Sequence, residues 1–338
     1  MILSTLRVKS SYCRYYVRKA YDVNNISFTP RIIRKGNVTP ELSVPEHIEK
    51  PIYYETRIVD SLHPIEVKTP EQIQGMRGSC LLARRTLELA LSLVKPGATT
   101  DGIDRKVHEF IISNNAYPSP LRYNNYPKSI CTSVNEVMVH GIPDDTVLHD
   151  GDVINIDVSV FFNGFHGDCS ETVLVGGGET LDPSKRDRLK DLLHVAQECV
   201  NVGISVCGPN KSFDVVGKAI NKYIKSKKLK YFIPEEFVGH GIGSYFHGFP
   251  QIIHTETNEM NETFTGLLKP SDPMRRMVPG MTFTIEPIVM TGARYWNKWK
   301  DDWTIVTRDR FTSATWEHTI LITEEGVDVL TKNSNDHE

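Results

Sequence analysis

The sequence predicts an α/β (α+β) chain built of two similar halves, each a pair of helices followed by strands that carry acidic side chains. Apolar residues recur at helical spacing in two stretches, the second about 112 residues after the first. Each helical pair is followed by a His-Gly-Ile sequence, His140-Gly141-Ile142 and then His240-Gly241-Ile242. Each half next shows a strand-like run bearing an acid, Val153–Val158 with Asp157 and Thr282–Glu286 with Glu286, and then one further acid, Asp168 or Glu317. The common order of these features is harder to attribute to chance than any one of them.

Residues 1–40 hold eight basic residues and one acid, Asp22, among Leu, Tyr, Val and Ser. That Arg-rich, acid-poor composition predicts a transit peptide; the alternative is a basic arm that binds something acidic. Pro40, Pro45, Pro51, Pro64 and Pro70 then punctuate a stretch without periodicity, so residues 41–68 read as an extended lead-in that wraps the surface. A single compact domain is expected over residues 69–332. Its first helix runs from Glu71 to Val94 on Ile73, Met76, Leu87 and Leu91, and Pro96-Gly97 stops it. Ile103, Val107, Phe110 and Ile111 mark a second helix. In the second half, Leu189–Val206 is stopped by Gly208-Pro209, and Val215, Ala219 and Tyr223 fall where Ile103, Val107 and Ile111 fall in the first. The polar stretch Glu256–Pro273 lengthens this half and reads as a surface loop insertion.

From Val153 to Val160 the residues alternate, which places Asn155, Asp157 and Ser159 on one face and Ile154, Ile156, Val158 and Val160 on the other. Asn163-Gly164 is a hairpin signal; a two-residue turn there pairs Phe162 with Phe165 and hence Ser159 with Asp168. Asp157 and Asp168 then share a face as diagonal neighbours, roughly 7 to 8 Å apart at the backbone. Two carboxylates at that range repel, so a metal ion is the natural resident between them. Glu286 shares a strand face with Thr282 and Thr284, and Pro287 marks the strand end. Glu317 lies in the apolar run Ala314–Ile320, where a carboxylate without a partner is costly. His240 and His247 lie in a glycine-rich stretch, Phe237–Gly248, read as irregular backbone whose glycines permit close approach to a ligand.

The strings Tyr126–Cys131, Asn135–Pro143, Gly164–Asp168, Gly239–Gly243 and Thr284–Pro287, in this order, resemble the type 1 methionine aminopeptidases over about Thr69 to Leu330. The resemblance implies the pita-bread fold, a pseudo-two-fold curved antiparallel sheet backed by helices. It implies five ligands to two divalent metal ions (Mn, Fe, Co or Zn). Asp168 and Glu317 would bridge, Asp157 would hold one ion, and His240 with Glu286 the other. The implied reaction is removal of an N-terminal methionine from nascent polypeptides by a metal-activated hydroxide, with small second residues favoured. Glu286 would carry the proton, and His140 and His247 would contact the substrate backbone. The methionine pocket would comprise Tyr123, Tyr126, Cys131, Phe246 and Trp303. Two positions depart from the bacterial pattern: Pro120 stands where a cysteine is usual, and Asn124 replaces a histidine. The basic leader and Pro120 resemble the mitochondrial (type 1D) branch, which implies a mitochondrial location, with another organelle or the cytoplasm as alternatives.

Composition excludes several other classes. Beyond residue 40 the chain carries 31 basic and 41 acidic residues, which argues against nucleic acid as the main partner. No apolar run reaches the ~18 residues a membrane helix needs. The six cysteines form no C-x-x-C pair, so a cysteine-rich zinc module is not expected and free thiols are. A monomer is expected. The competing readings are an Xaa-Pro aminopeptidase or prolidase of the same fold, disfavoured by the Tyr126–Cys131 string, and a non-catalytic pita-bread binding protein, disfavoured by the full ligand set.

Overall fold

Thr69 opens the first helix by a reciprocal capping box: its hydroxyl accepts from Gln72 N, and the Gln72 side chain accepts from Thr69 N. Such a cap is worth about 1 kcal/mol. With Pro70 at the first helical position, α1 runs Pro70–Ser92, and α2 (Thr100–Ser113) is capped by Thr99. The second pair is α3 (Pro183–Ser205), capped by Asp182, and α4 (Asp214–Lys225). The computed structural model describes residues 28–59, 63–256 and 273–333. Most of the predicted leader and of the Glu256–Pro273 insertion therefore lies outside the described residues.

The strands in chain order are β1 (Tyr117–Pro118), β2 (Cys131–Val134), β3 (Val137–Val139), β4 (Val153–Phe162), β5 (Phe165–Leu174), β6 (Val238–Gly241) and β7 (Gly248–Ile253). They continue with β8 (Thr282–Ile285), β9 (Ile288–Met290), β10 (Trp296–Lys298), β11 (Ile305–Thr307), β12 (Ser313–Thr315), β13 (Glu317–Ile322) and β14 (Val327–Val329). The main sheet is antiparallel, in the order β1-β4-β5-β13-β8-β6-β7, with β2 beside β4 and β14 beside β13.

That order carries the two-half symmetry. The β4-β5 pair is answered by β8-β13, and β2 flanks β4 as β6 flanks β8. Each half keeps its own core on the helix-covered face. Ile154, Ile156, Val158 and Val160 of β4 pack with α1 and α2, while Phe283, Ile285, Ile320 and Ile322 pack with α3 and α4. The expected match of His140 with His240 does not follow this symmetry. His240 lies within β6, whose counterpart is β2, whereas His140 follows β3 in a separate three-stranded sheet with β10 and β11. The acids do follow it, Asp157 with Glu286 and Asp168 with Glu317.

Residues 28–40, counted with the leader on composition, are packed against the body. Arg31 pairs with buried Asp152 at 2.7 Å, Ile33 is buried and its N–H donates to Glu136, and the Gly36 N–H donates to Asp144. The lead-in continues over the surface as expected and inserts Val44, Ile48 and Tyr53 into a cluster with Tyr117, Leu121, Tyr123 and Phe246. Among the described residues no helix is long and apolar enough to cross a membrane. Cys80, Cys131, Cys169, Cys199 and Cys207 are free thiols, all buried.

Candidate active site

Five neighbouring strands each bring one candidate ligand to the sheet face opposite the helices. Asp157 comes from β4, Asp168 from β5, Glu317 from β13, Glu286 from the residue after β8, and His240 from β6. The β4–β5 hairpin has the expected register, with Phe162 opposite Phe165 and Ser159 opposite Asp168. Glu317 faces Ser170 across the β5–β13 pairing. Ligand atoms of Asp168, His240 and Glu317 lie within 4.8 Å of one another. His240 Nε2 stands 3.8 Å from Asp168 Oδ2 and 3.5 Å from Glu286 Oε1.

Asp168, His240, Glu286 and Glu317 are buried and Asp157 partly so, with Asp157 Oδ1 lacking a hydrogen-bond partner. Burial first, then the neighbouring carboxylates, pushes Asp168 and Glu317 well above the usual carboxylate range. Burial likewise raises Asp157 to about 6 and Glu286 to about 7, and lowers His240 well below its ordinary value. A cluster that holds its protons this tightly, yet turns acceptor oxygens and a neutral imidazole toward one point, fits a divalent cation.

Most of the groups that hold the candidate ligands carry no mark in the sequence. Ser159 donates to Asp168 Oδ1 at 2.8 Å. Thr284 donates to Glu286 Oε1 at 2.8 Å and accepts from His240 N at 3.0 Å. Thr319 accepts from Asp168 N and donates to Asp168 O at 2.7 Å, and His254 Nε2 accepts from Glu286 N at 3.2 Å. Alternation had placed Ser159 and Thr284 on the faces of Asp157 and Glu286. His254 carried no such signal. Nor did His166, buried against Phe246 at 5.2 Å and bonded to Ser119 Oγ at 2.8 Å.

Above the candidate ligands opens a cleft of about 590 Å³ lined by every site residue expected from the sequence: Asp157, Asp168, His240, Glu286, Glu317, His140, His247, Tyr123, Tyr126, Cys131, Phe246 and Trp303. Pro120 lines it as well. Tyr123 meets Phe246 edge-on at 5.0 Å, and Trp303 meets Tyr126 at 5.1 Å and His140 at 5.4 Å. Tyr126 is pinned by its hydroxyl, which donates to Ile130 O and Gly141 O. Cys131 is register partner to Asp157, so the apolar wall adjoins the ligands directly. Burial holds His140 down to about 3 and His247 well below its ordinary value, so both rings are neutral hydrogen-bonding groups. His140 also sits at φ 57°, a left-handed backbone that costs a non-glycine residue about 1 kcal/mol.

The stretch around His240 is more regular than expected. Val238–Gly241 is strand β6, and its glycines admit neighbouring strands rather than a ligand: a Cβ at Gly239 would overlap Thr284 O, and one at Gly241 would overlap Phe249 O. Asn124 does not line the cleft; it is exposed and accepts from Val59 N of the lead-in at 2.9 Å.

The chain belongs to metallopeptidase family M24, which matches residues 74–324. Within it, this chain groups with the methionine aminopeptidases. The Homo sapiens protein named methionine aminopeptidase 1D, mitochondrial, is 45% identical over 302 residues, covering 89% of this chain and 83% of that one. The crystal structure of methionine aminopeptidase from Rickettsia prowazekii shares 36% identity at a TM-score of 0.70, covering 79% of this chain and 99% of its own. The prolidase from Pyrococcus furiosus, at 19% identity and a TM-score of 0.56 over 79% of this chain and 66% of its own, shares the fold alone. The pita-bread architecture expected from the sequence is thus the one observed.

Proposed function

We propose that this chain is a methionyl aminopeptidase that removes the N-terminal methionine of nascent polypeptides and favours a small second residue. The observation that carries this reading is the single cleft that joins five candidate metal ligands, two neutral histidines and an apolar pocket of aromatic and thiol side chains. Asp157, Asp168, Glu286 and Glu317 together offer four negative charges, which two divalent ions would neutralise. Asp157, Asp168, His240, Glu286 and Glu317 would hold them. Ions held there supply a water whose pKa falls toward ~7 and a Lewis acid for the scissile carbonyl.

The chain's own groups do the rest. Tyr123, Tyr126, Cys131, Phe246 and Trp303 take up the thioether side chain, for which a narrow polarisable pocket is suited. His140 and His247, neutral at physiological pH, donate hydrogen bonds to the carbonyl and amide of the first peptide bond, where charge develops. Glu286 carries the proton to the departing amine. Cleavage of tripeptides compared across Mn²⁺, Co²⁺, Fe²⁺ and Zn²⁺ tests the reading. Met-Ala-Ser is expected to be cut far faster than Xaa-Pro peptides under the best metal; the reverse preference would establish a proline-specific enzyme instead.

The basic leader, in turn, would direct the chain to a mitochondrion or related organelle and be removed upstream of Thr29, a boundary supported by the packing of Thr29, Arg31 and Ile33 on the body. N-terminal sequencing of the cellular protein tests this, and a mature N-terminus beyond Ile33 would overturn it.

A further inference from the structure

His247 rides on the loop that joins β6 to β7, residues 242–247, and that loop is held from outside by a short piece of the lead-in that precedes the family match. Glu66 accepts from the hydroxyl of Ser244 and, at 3.3 Å, from its backbone N–H. Lys68 Nζ donates to Ile242 O at 2.8 Å and pairs with Glu66 at 3.3 Å, while Lys68 N anchors to Gly280 O at 2.9 Å. The His63 ring stacks on Tyr245 at 4.9 Å and 3°, and His63 O accepts from Phe249 N at 2.9 Å. Gly243 is what admits this clamp: a Cβ there would overlap Glu66 Oε2 and lie 2.8 Å from Lys68 Nζ. From the far side, His166 N donates to Gly243 O at 2.8 Å.

The Lys68 side chain is 1% exposed, and a buried ammonium is costly unless it is paired and hydrogen-bonded. The loop carbonyl and Glu66 supply those partners, so displacing the loop would strand a buried cation. The loop is therefore confined to one position, and with it the ring of His247, whose centroid lies 4.2 Å from that of His240.

We infer that Glu66 and Lys68 are positioning residues for the hydrolysis, a clamp that acts through the 242–247 loop to aim His247 at the substrate backbone. The inference rests on the assignment of His247 to substrate binding made above. Its test uses the full-length, metal-loaded enzyme with Glu66→Gln, Lys68→Met and Ser244→Ala, each alone and combined with His247→Ala, assayed on Met-Ala-Ser.

Each single variant is expected to lower kcat/KM about tenfold, mainly through kcat, with metal content unchanged. In the His247→Ala background the same substitutions are expected to change kcat/KM less than about twofold, the mark of groups acting through one residue. Unaltered kcat/KM in the single variants would overturn the inference, and so would an undiminished further loss in the His247→Ala background. Should Lys68→Met fail to fold, Ser244→Ala removes one exposed hydroxyl and still decides the matter. Full activity in His247→Ala alone would instead show that the site assignment itself is wrong.

Discussion

The hydroxyl of Thr284 bonds both Glu286 Oε1 and the backbone N–H of His240, so one small side chain orients two candidate ligands. Thr284→Val removes both bonds at little change in volume. We expect metal affinity, measured by titration of the apo-enzyme, to fall by about 10- to 100-fold, as is usual when a ligand loses its supporting hydrogen bond. Asp168 stands deeper in the mechanism. Asp168→Ala is expected to abolish metal binding and turnover together; full activity in that variant would refute the dinuclear assignment. At this scale the candidate ligands Asp157 and Asp168 were legible because strand alternation and the hairpin register sort their faces, whereas His240, Glu286 and Glu317 came with the family resemblance. Their supports were not: His254 reaches Glu286 N from 32 positions away, a contact that only the folded chain creates.

Among the elements, the β4–β5 hairpin was the most legible, since Asn163-Gly164 fixes the turn and period-two alternation then fixes every pair along it. The start of α3 was not. The helix begins at Pro183, ahead of the first periodic apolar residue, because the Asp182 cap and the proline start a charged first turn that has no apolar stripe. The run Ala314–Ile320 was similarly opaque: it divides at Trp316 into β12 and β13, which belong to different sheets, although no glycine or proline marks the break. Beside these strands, Glu136 joins residues 28–40 to the body by accepting the Ile33 N–H. Burial pushes its carboxyl up to about 7, against the pull of backbone N–H groups and of Arg310 and Arg31. Since the folded value lies above the ordinary 4.5, the folded state binds the extra proton between the two. Stability therefore falls as pH rises through that window, and the loss is complete above about 7. Glu136→Gln keeps the acceptor and removes the titration. Its Tm is expected to climb relative to the parent between about pH 5 and pH 7.5; parallel Tm curves would show that Glu136 contributes nothing to the slope.

For the molecule as a whole, the repeated helix-and-acid pattern disclosed the two halves, but it gave no hint that the lead-in would contribute to the pocket. Proline-rich segments lack periodicity, and Tyr53 reaches Ser119 O and the Tyr123 ring only because the chain wraps back across the body. Compared with a chain that lacks residues 1–27, one that lacks residues 1–40 also loses the Arg31–Asp152 pair, buried Ile33 and the Thr39 contact with Asp101. We expect the longer deletion to lower Tm by about 2 to 4 °C, the shift that about 1 to 2 kcal/mol produces in a domain of this size. Equal melting temperatures would mean that the segment adds no stability. The same wrap also orders events in time. Thr29 bonds Arg310 across 281 positions, and Arg31 bonds Asp152 across 121. Residues 28–40 are made well before the partners they bind and can settle only once those exist, and contacts this distant along the chain slow folding. A refolding enzyme should thus close its cleft before its strap seats, with protease resistance of residues 28–40 the last property to return.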